Sequence, residues 1–174
     1  MTASPPTPSA ACRTEALDRA VRLRDAGEAG QARTLLLGLG AAHPQDADIA
    51  YQTAWTHDVL GLEAEAVPFY ERALAEPAAL TVEDRAGALL GLGSTYRVLG
   101  RFEDAVRVLR QGVTEFPGDG ALRTFLAMAL HHTGEHTEAM GLLLALLADT
   151  SEDRRVREYH KAIRHYAQDL DALG

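Results

Sequence analysis

LGSTYRVLGRFEDAVRVLRQGVTEFP, residues 92–117, reads as two helical phrases on either side of Gly100, the second stopped by Pro117. The phrase recurs along the chain. Gly27, Gly61, Gly100 and Gly134 each sit between two such phrases, at intervals of 34, 39 and 34 residues. A period near 34 residues is the mark of stacked helix-turn-helix units, each of which buries its apolar face only against its neighbours. Proteins built this way bind other molecules far more often than they catalyse.

With each glycine taken as position 15 of a 34-residue unit, the units run 13–46, 47–80, 86–119 and 120–153. Position 20 then holds Ala32, Ala66, Ala105 and Ala139, a side chain small enough for two antiparallel helices to approach closely. Position 8, on the first helix of each unit, holds Ala20, Ala54, Gly93 and Ala127 opposite that point. One turn beyond the alanine, position 24 gives Leu36, Tyr70, Leu109 and Leu143, which reads as the core stripe. Pro44, Pro77 and Pro117 end the second helix in three units, and Ser151 replaces proline in the fourth.

Five extra residues separate the second and third units. There Thr81 followed by Asp84 predicts a capped helix start, so the insertion lengthens the first helix of the third unit. Beyond the fourth unit, Val156, Tyr159, Ile163, Tyr166, Leu170 and Leu173 recur at spacings of three and four, predicting a ninth helix over 152–172 with one apolar stripe. Arg154, Arg157, Lys161 and Arg164 fall on its opposite, solvated face, which suits a helix that caps the last repeat. The expectation is nine helices and no strand.

Composition narrows the function classes. Of the 174 residues, 47% are hydrophobic, enough for a continuous core, and the formal charge of -8 opposes nucleic-acid binding, which needs a cationic surface. Cys12 is the one cysteine, so an intramolecular disulfide is impossible and a reducing cytoplasm is the simpler setting. Residues 1–11 lack the basic start and apolar stretch of a signal peptide, and Pro5, Pro6 and Pro8 oppose helix. Residues 1–12 are therefore read as a disordered tail and 13–174 as one domain. No apolar run approaches the roughly 20 residues of a membrane helix.

Leu92, Gly93, Tyr96, Gly100, Ala105 and Pro117 make the third unit similar to a nearly complete tetratricopeptide repeat. The stretch from about 81 to 171 also resembles a small bacterial tetratricopeptide family of unknown function. The resemblance implies an all-α fold, a right-handed superhelical α-solenoid of about four units plus a capping helix. It also implies that the first helices line a concave groove, into which positions 2, 5, 9, 12 and 13 point. Position 5 gives Leu17, Tyr51, Leu90 and Thr124; position 9 gives Val21, Trp55, Ser94 and Met128; position 12 gives Arg24, Asp58, Arg97 and His131. Such a groove is largely apolar, with Trp55 and Tyr51 as an aromatic centre of the kind that anchors interfaces, although aromatics at this spacing also serve as core. The arginines have two readings, as holders of a partner's carboxylates or as partners of Asp58 within the protein. The class that binds chaperone tails uses lysines and asparagines at groove positions where this chain has Leu17, Val21, Tyr51 and Trp55, so that activity is not implied.

Chemistry is sparse. His132 and His136 have the i, i+4 spacing of a zinc pair and His131 lies beside them, the basis for a metal-dependent hydrolase as a rival reading. Gly134 falls between them and turns the chain, and no third ligand is evident, so two groove-edge histidines are the plainer reading and no metal or cofactor is expected. His57 stands where Tyr96 stands in the third unit and is expected to pack between helices with a hydrogen-bond partner. Glu63, Glu65, Glu103 and Asp104 sit at helix starts, where the helix dipole favours them. The expectation is a scaffold or adaptor, not an enzyme, that takes an apolar or amphipathic protein segment in its groove. The alternative is an architectural homo-oligomer, such as a homodimer, in which a second copy buries the groove or the last helix.

Overall fold

The structure, a computed structural model, describes residues 10–170. Among the described residues there are nine helices and no strand: α1 (Ala10–Asp25), α2 (Ala29–Ala42), α3 (Ala47–Val59), α4 (Glu63–Ala73), α5 (Val82–Val98), α6 (Phe102–Glu115), α7 (Gly120–Thr133), α8 (His136–Thr150) and α9 (Arg154–Ala167). Backbone contacts gather them into two compact bodies, one up to Ala88 and one from Leu89 onward.

The hairpin turns are four copies of one device. Gly27, Gly61, Gly100 and Gly134 have φ of 83°, 70°, 74° and 85°, a left-handed backbone that glycine adopts without strain. After each glycine the next amide reaches back to the last helical turn: Glu28 to the Leu23 carbonyl at 2.8 Å, Leu62 to His57 at 2.9 Å, Arg101 to Tyr96 at 2.8 Å and Glu135 to Leu130 at 2.9 Å. The glycine amide itself reaches the carbonyl three residues earlier in every case. Together these bonds form the Schellman closure, which satisfies carbonyls a helix end would otherwise leave bare.

Helix starts use acids. Asp46 accepts from the Ile49 amide, Asp119 from Leu122, and Asp153 from Arg155 and Val156. At α5 the expected Thr81 cap is present: its Oγ1 accepts the Asp84 amide at 3.1 Å and donates to the Asp84 carboxylate at 2.9 Å. The insertion does lengthen this helix, which has 17 residues against 13 in α3 and 14 in α7.

Within each hairpin the small residues meet as expected. Ala20, Ala32, Ala54, Ala66, Ala105, Ala127 and Ala139 are all buried, as is Gly93. A Cβ on Gly93 would stand 2.6 Å from Leu109 Cδ2, so glycine is required to seat that leucine. Leu36, Tyr70 and Leu109 are fully buried in the core stripe, but Leu143 is 41% exposed.

Leu143 is a correction to the sequence reading, and α9 supplies the reason. α9 lies along the Gly141 side of α8, and the Ala167 carbonyl oxygen would be 2.6 Å from a Cβ at Gly141. The strip of α9 that is half-buried is Val156, His160, Ile163 and Ala167, and the half-buried Leu170 follows beyond the helix end, which falls short of the expected 172. Tyr159 and Tyr166, expected in that stripe, are instead 55% and 51% exposed, and Leu173 lies outside the described residues. Arg164 anchors the helix by donating from Nε to Asp149 at 2.7 Å, so it is not simply solvated. The start of the chain is a second correction. Ala10, Ala11 and Cys12 belong to α1, because Pro8 is the last helix breaker before a run of good helix formers. The rest of the expected tail, residues 1–9, lies outside the described residues.

Candidate functional site

Six of the residues expected to line a groove belong to the first body. Leu17 is buried among Ala20, Leu36, Leu39 and Ile49 and is core, not surface. Tyr51 is also buried. Its ring stacks 5.9 Å from Trp55 and lies 6.4 Å from Tyr70, while its hydroxyl rests against Gly87, where any side chain would collide with it. Burial, with the Asp84 charge second, pushes that phenol up to about 12. Trp55 remains 41% exposed, with the Arg24 guanidinium carbon 3.7 Å above its ring.

Arg24 is itself buried and its donors are engaged: Nη1 reaches Gln52 Oε1 at 2.5 Å, and Nε and Nη2 reach Asp25 at 3.1 Å. It therefore offers no free guanidinium to a ligand, one of the two roles its spacing suggested. Asp58 is half-buried and accepts the Tyr70 hydroxyl at 2.7 Å. Burial and the Asp58 charge hold that phenol far above its ordinary range. Val21 is half-buried. His57 finds the partners its position requires: Nδ1 donates to the Thr53 carbonyl at 2.7 Å, Nε2 accepts from Arg33 Nε at 3.0 Å, and the ring stacks 5.1 Å from Phe69. Those two bonds specify a neutral ring protonated on Nδ1.

The other six belong to the second body. Leu90, Ser94, Arg97 and Thr124 are half-buried, whereas Met128 and His131 are exposed. Thr124 spends its hydroxyl on the Gly120 carbonyl at 2.7 Å. Arg97, Met128 and His131 converge on a cavity of about 550 Å³, together with His132, His136, Met140 and Leu143. Of these, Met140 and Leu143 are not placed in the groove by the repeat register. Register makes Leu143 a core position, and α8, as the second helix of its unit, is not one that the repeat pattern turns toward a ligand.

The three histidines lie on both sides of the Gly134 turn, His131 and His132 on α7 and His136 on α8. His132 donates from Nδ1 to the Met128 carbonyl at 2.7 Å and stacks 4.4 Å from Phe102. His136, placed beyond the Gly134 turn, approaches His131 at 4.8 Å between ring centres. Among the described residues, no group of three His, Cys, Asp or Glu side chains is placed to hold a metal ion. Arg97 is the unusual polar member, because its Nε is buried and has no hydrogen-bond partner.

Repeated helical hairpins closed by glycine and sealed through paired alanines define a class of repeat protein. The family model described as Tetratrico peptide repeat matches residues 47–170, and the chain belongs to that family. Solved structures agree on the fold. A crystal structure of nearly identical TPR-like repeats, named for a Podosopora anserina kinesin light chain, is similar with a TM-score of 0.65 and 24% identity, covering 90% of each chain. A comparison with curated proteins finds no match. Repeats of this family mediate protein–protein interaction and are typically scaffolds without catalytic activity. Among the described residues, no helix is long and apolar enough to cross a membrane.

Proposed function

We propose that this chain is a protein-interaction scaffold whose second body seats an apolar or amphipathic segment of a partner in the cavity of α7 and α8. The observation that carries the reading is the clustering of Met128, Met140 and Leu143, which are 40%, 52% and 41% exposed around one opening. Large apolar side chains exposed singly are ordinary, but three around one concavity favour a binding role. Two of them are methionines, whose flexible thioethers adapt to varied partners. Trp55, stacked under Arg24, offers a smaller second patch on the first body. The net charge of -8 favours protein over nucleic acid as the partner, and a single cysteine, Cys12, suits a cytoplasmic setting.

The test is a photo-crosslinking amino acid placed at Met140, used in the native cell with and without Leu143→Gln. A discrete adduct with another protein, lost in the Leu143 variant, is expected. An adduct only with a second copy of the chain, accompanied by a doubled mass in light scattering, would replace the adaptor with the homo-oligomer.

A further inference from the structure

In the first body, the helix that follows the first hairpin packs on both of its members: α3 touches α2 and α1. The α7–α8 hairpin is followed differently. α9 packs on α8 and, among the described residues, its backbone does not approach that of α7, the two meeting only through Arg123 and Arg164 on the shared Asp149. Its seat at Gly141 draws it to one side, and among the described residues nothing covers the neighbouring face of α8, where a continuing repeat would pack. His136, Met140, Leu143 and Leu147 are all exposed along that face of α8, at spacings of four, three and four. Such a row spans about three helical turns, roughly 16 Å, and a furrow between two helices accepts the ridge of a third.

The polar side of the opening is also incomplete. Arg97 presents a guanidinium whose buried Nε lacks an acceptor, and no aspartate or glutamate lines the cavity beside it. Buried donors are nearly always paired in native proteins, and the planar guanidinium matches a carboxylate through two parallel hydrogen bonds. We infer that the open face seats an amphipathic helix of a partner protein, in the place a continuing repeat would fill, with an Asp or Glu side chain of that helix on Arg97. The inference rests on the scaffold reading above and specifies the partner's chemistry: an apolar stripe at helical spacing with an acid at its edge.

Selection from a displayed library of 16-residue amphipathic helices, with the full chain as bait, tests it. Recovered peptides should carry an acid beside the apolar stripe. Changing that acid to its amide should weaken binding about tenfold or more to the parent chain, but about twofold or less to Arg97→Gln. Arg97→Lys should keep part of the preference, and circular dichroism should show both variants folded. Leu143→Gln should weaken the acid and amide peptides alike. Recovered peptides with no acidic preference, or a preference that persists in Arg97→Gln, overturn the pairing while leaving the scaffold reading intact. Recovery of no peptide, or of peptides indifferent to Leu143→Gln, overturns both. A chain whose mass is doubled until Leu143→Gln halves it places a second copy on the face, which also overturns the proposal.

Discussion

The carbonyl oxygen of Ala167 occupies the space where Gly141 would carry a side chain, 2.6 Å from an ideal Cβ. α9 therefore rests on α8 backbone to backbone, and the absence of one methyl group fixes where the last helix lies. That position in turn leaves Met140 and Leu143 uncovered.

Gly141→Ala should loosen α9 without unfolding the hairpin. Alanine stabilises the α8 interior by about 1 kcal/mol relative to glycine, so the global melting temperature should change little. Hydrogen exchange should show the difference, with faster exchange at the amides of α9 and unchanged protection in α7. Unaltered exchange in α9 would mean that the backbone contact does not hold it.

Gly93→Ala and Gly100→Ala should differ in kind. At Gly93 a Cβ meets Leu109, and overpacking of this sort costs about 1–3 kcal/mol, less the gain in helix propensity. At Gly100 nothing lies within 4 Å, but φ is 74°, which costs a residue with a Cβ about 1–2 kcal/mol. Leu109→Val should therefore recover stability in the Gly93 variant only, as measured by urea denaturation. Equal recovery in both would refute the steric account.

Asp46 gives a pH dependence. Burial pushes its carboxyl up, but the hydrogen bond from Arg13, the Ile49 amide and the Arg13 charge together outweigh burial and hold it below its ordinary 3.8. A carboxyl lowered on folding adds stability that is fully present above its unfolded pKa and is lost as pH falls through the folded value. Asp46→Asn keeps the α3 cap but loses the ion pair, worth about 1 kcal/mol or less. The variant should be slightly less stable at pH 7, and the difference should vanish on acidification well below pH 4. A difference that grows on acidification contradicts this assignment.

His57→Ala should cost about 2 kcal/mol or more. It opens a cavity beside Phe69 and leaves Arg33 Nε without its acceptor. His57→Gln, which can still accept that bond, should restore part of the loss in thermal denaturation. Identical melting temperatures for parent and alanine variant would show that the ring is not a packing element.

Much of the hairpin architecture was legible because it depends on local backbone chemistry. A glycine that must take positive φ, a threonine three residues before an aspartate, and a proline just past a helix end each state a boundary with no reference to the rest of the chain. The alanine rows were legible for a related reason, since the closest crossing of two helices admits only small side chains. The candidate site was legible only in part. Position 12 pointed to Arg24 and Arg97 alike, yet Gln52 and Asp25 engage the first while the second keeps a buried unpaired nitrogen. Position 5 pointed to Tyr51, which the Gly87 backbone admits into the core.

By itself, then, the amino-acid order determined the all-α repeat, the turns and the close pairing of helices, because neighbours within a few residues or within one hairpin decide those features. Only the tertiary structure decided which strip of α9 is covered and which strip of α8 is open. The physical reason is helical periodicity: with 3.6 residues per turn, positions three and four apart flank the same line, so Tyr159 and His160, or Tyr166 and Ala167, suit the stripe equally by spacing. The Gly141 contact breaks that tie by drawing in the side where a backbone carbonyl can approach, and Leu143 is left facing the cavity beside Arg97.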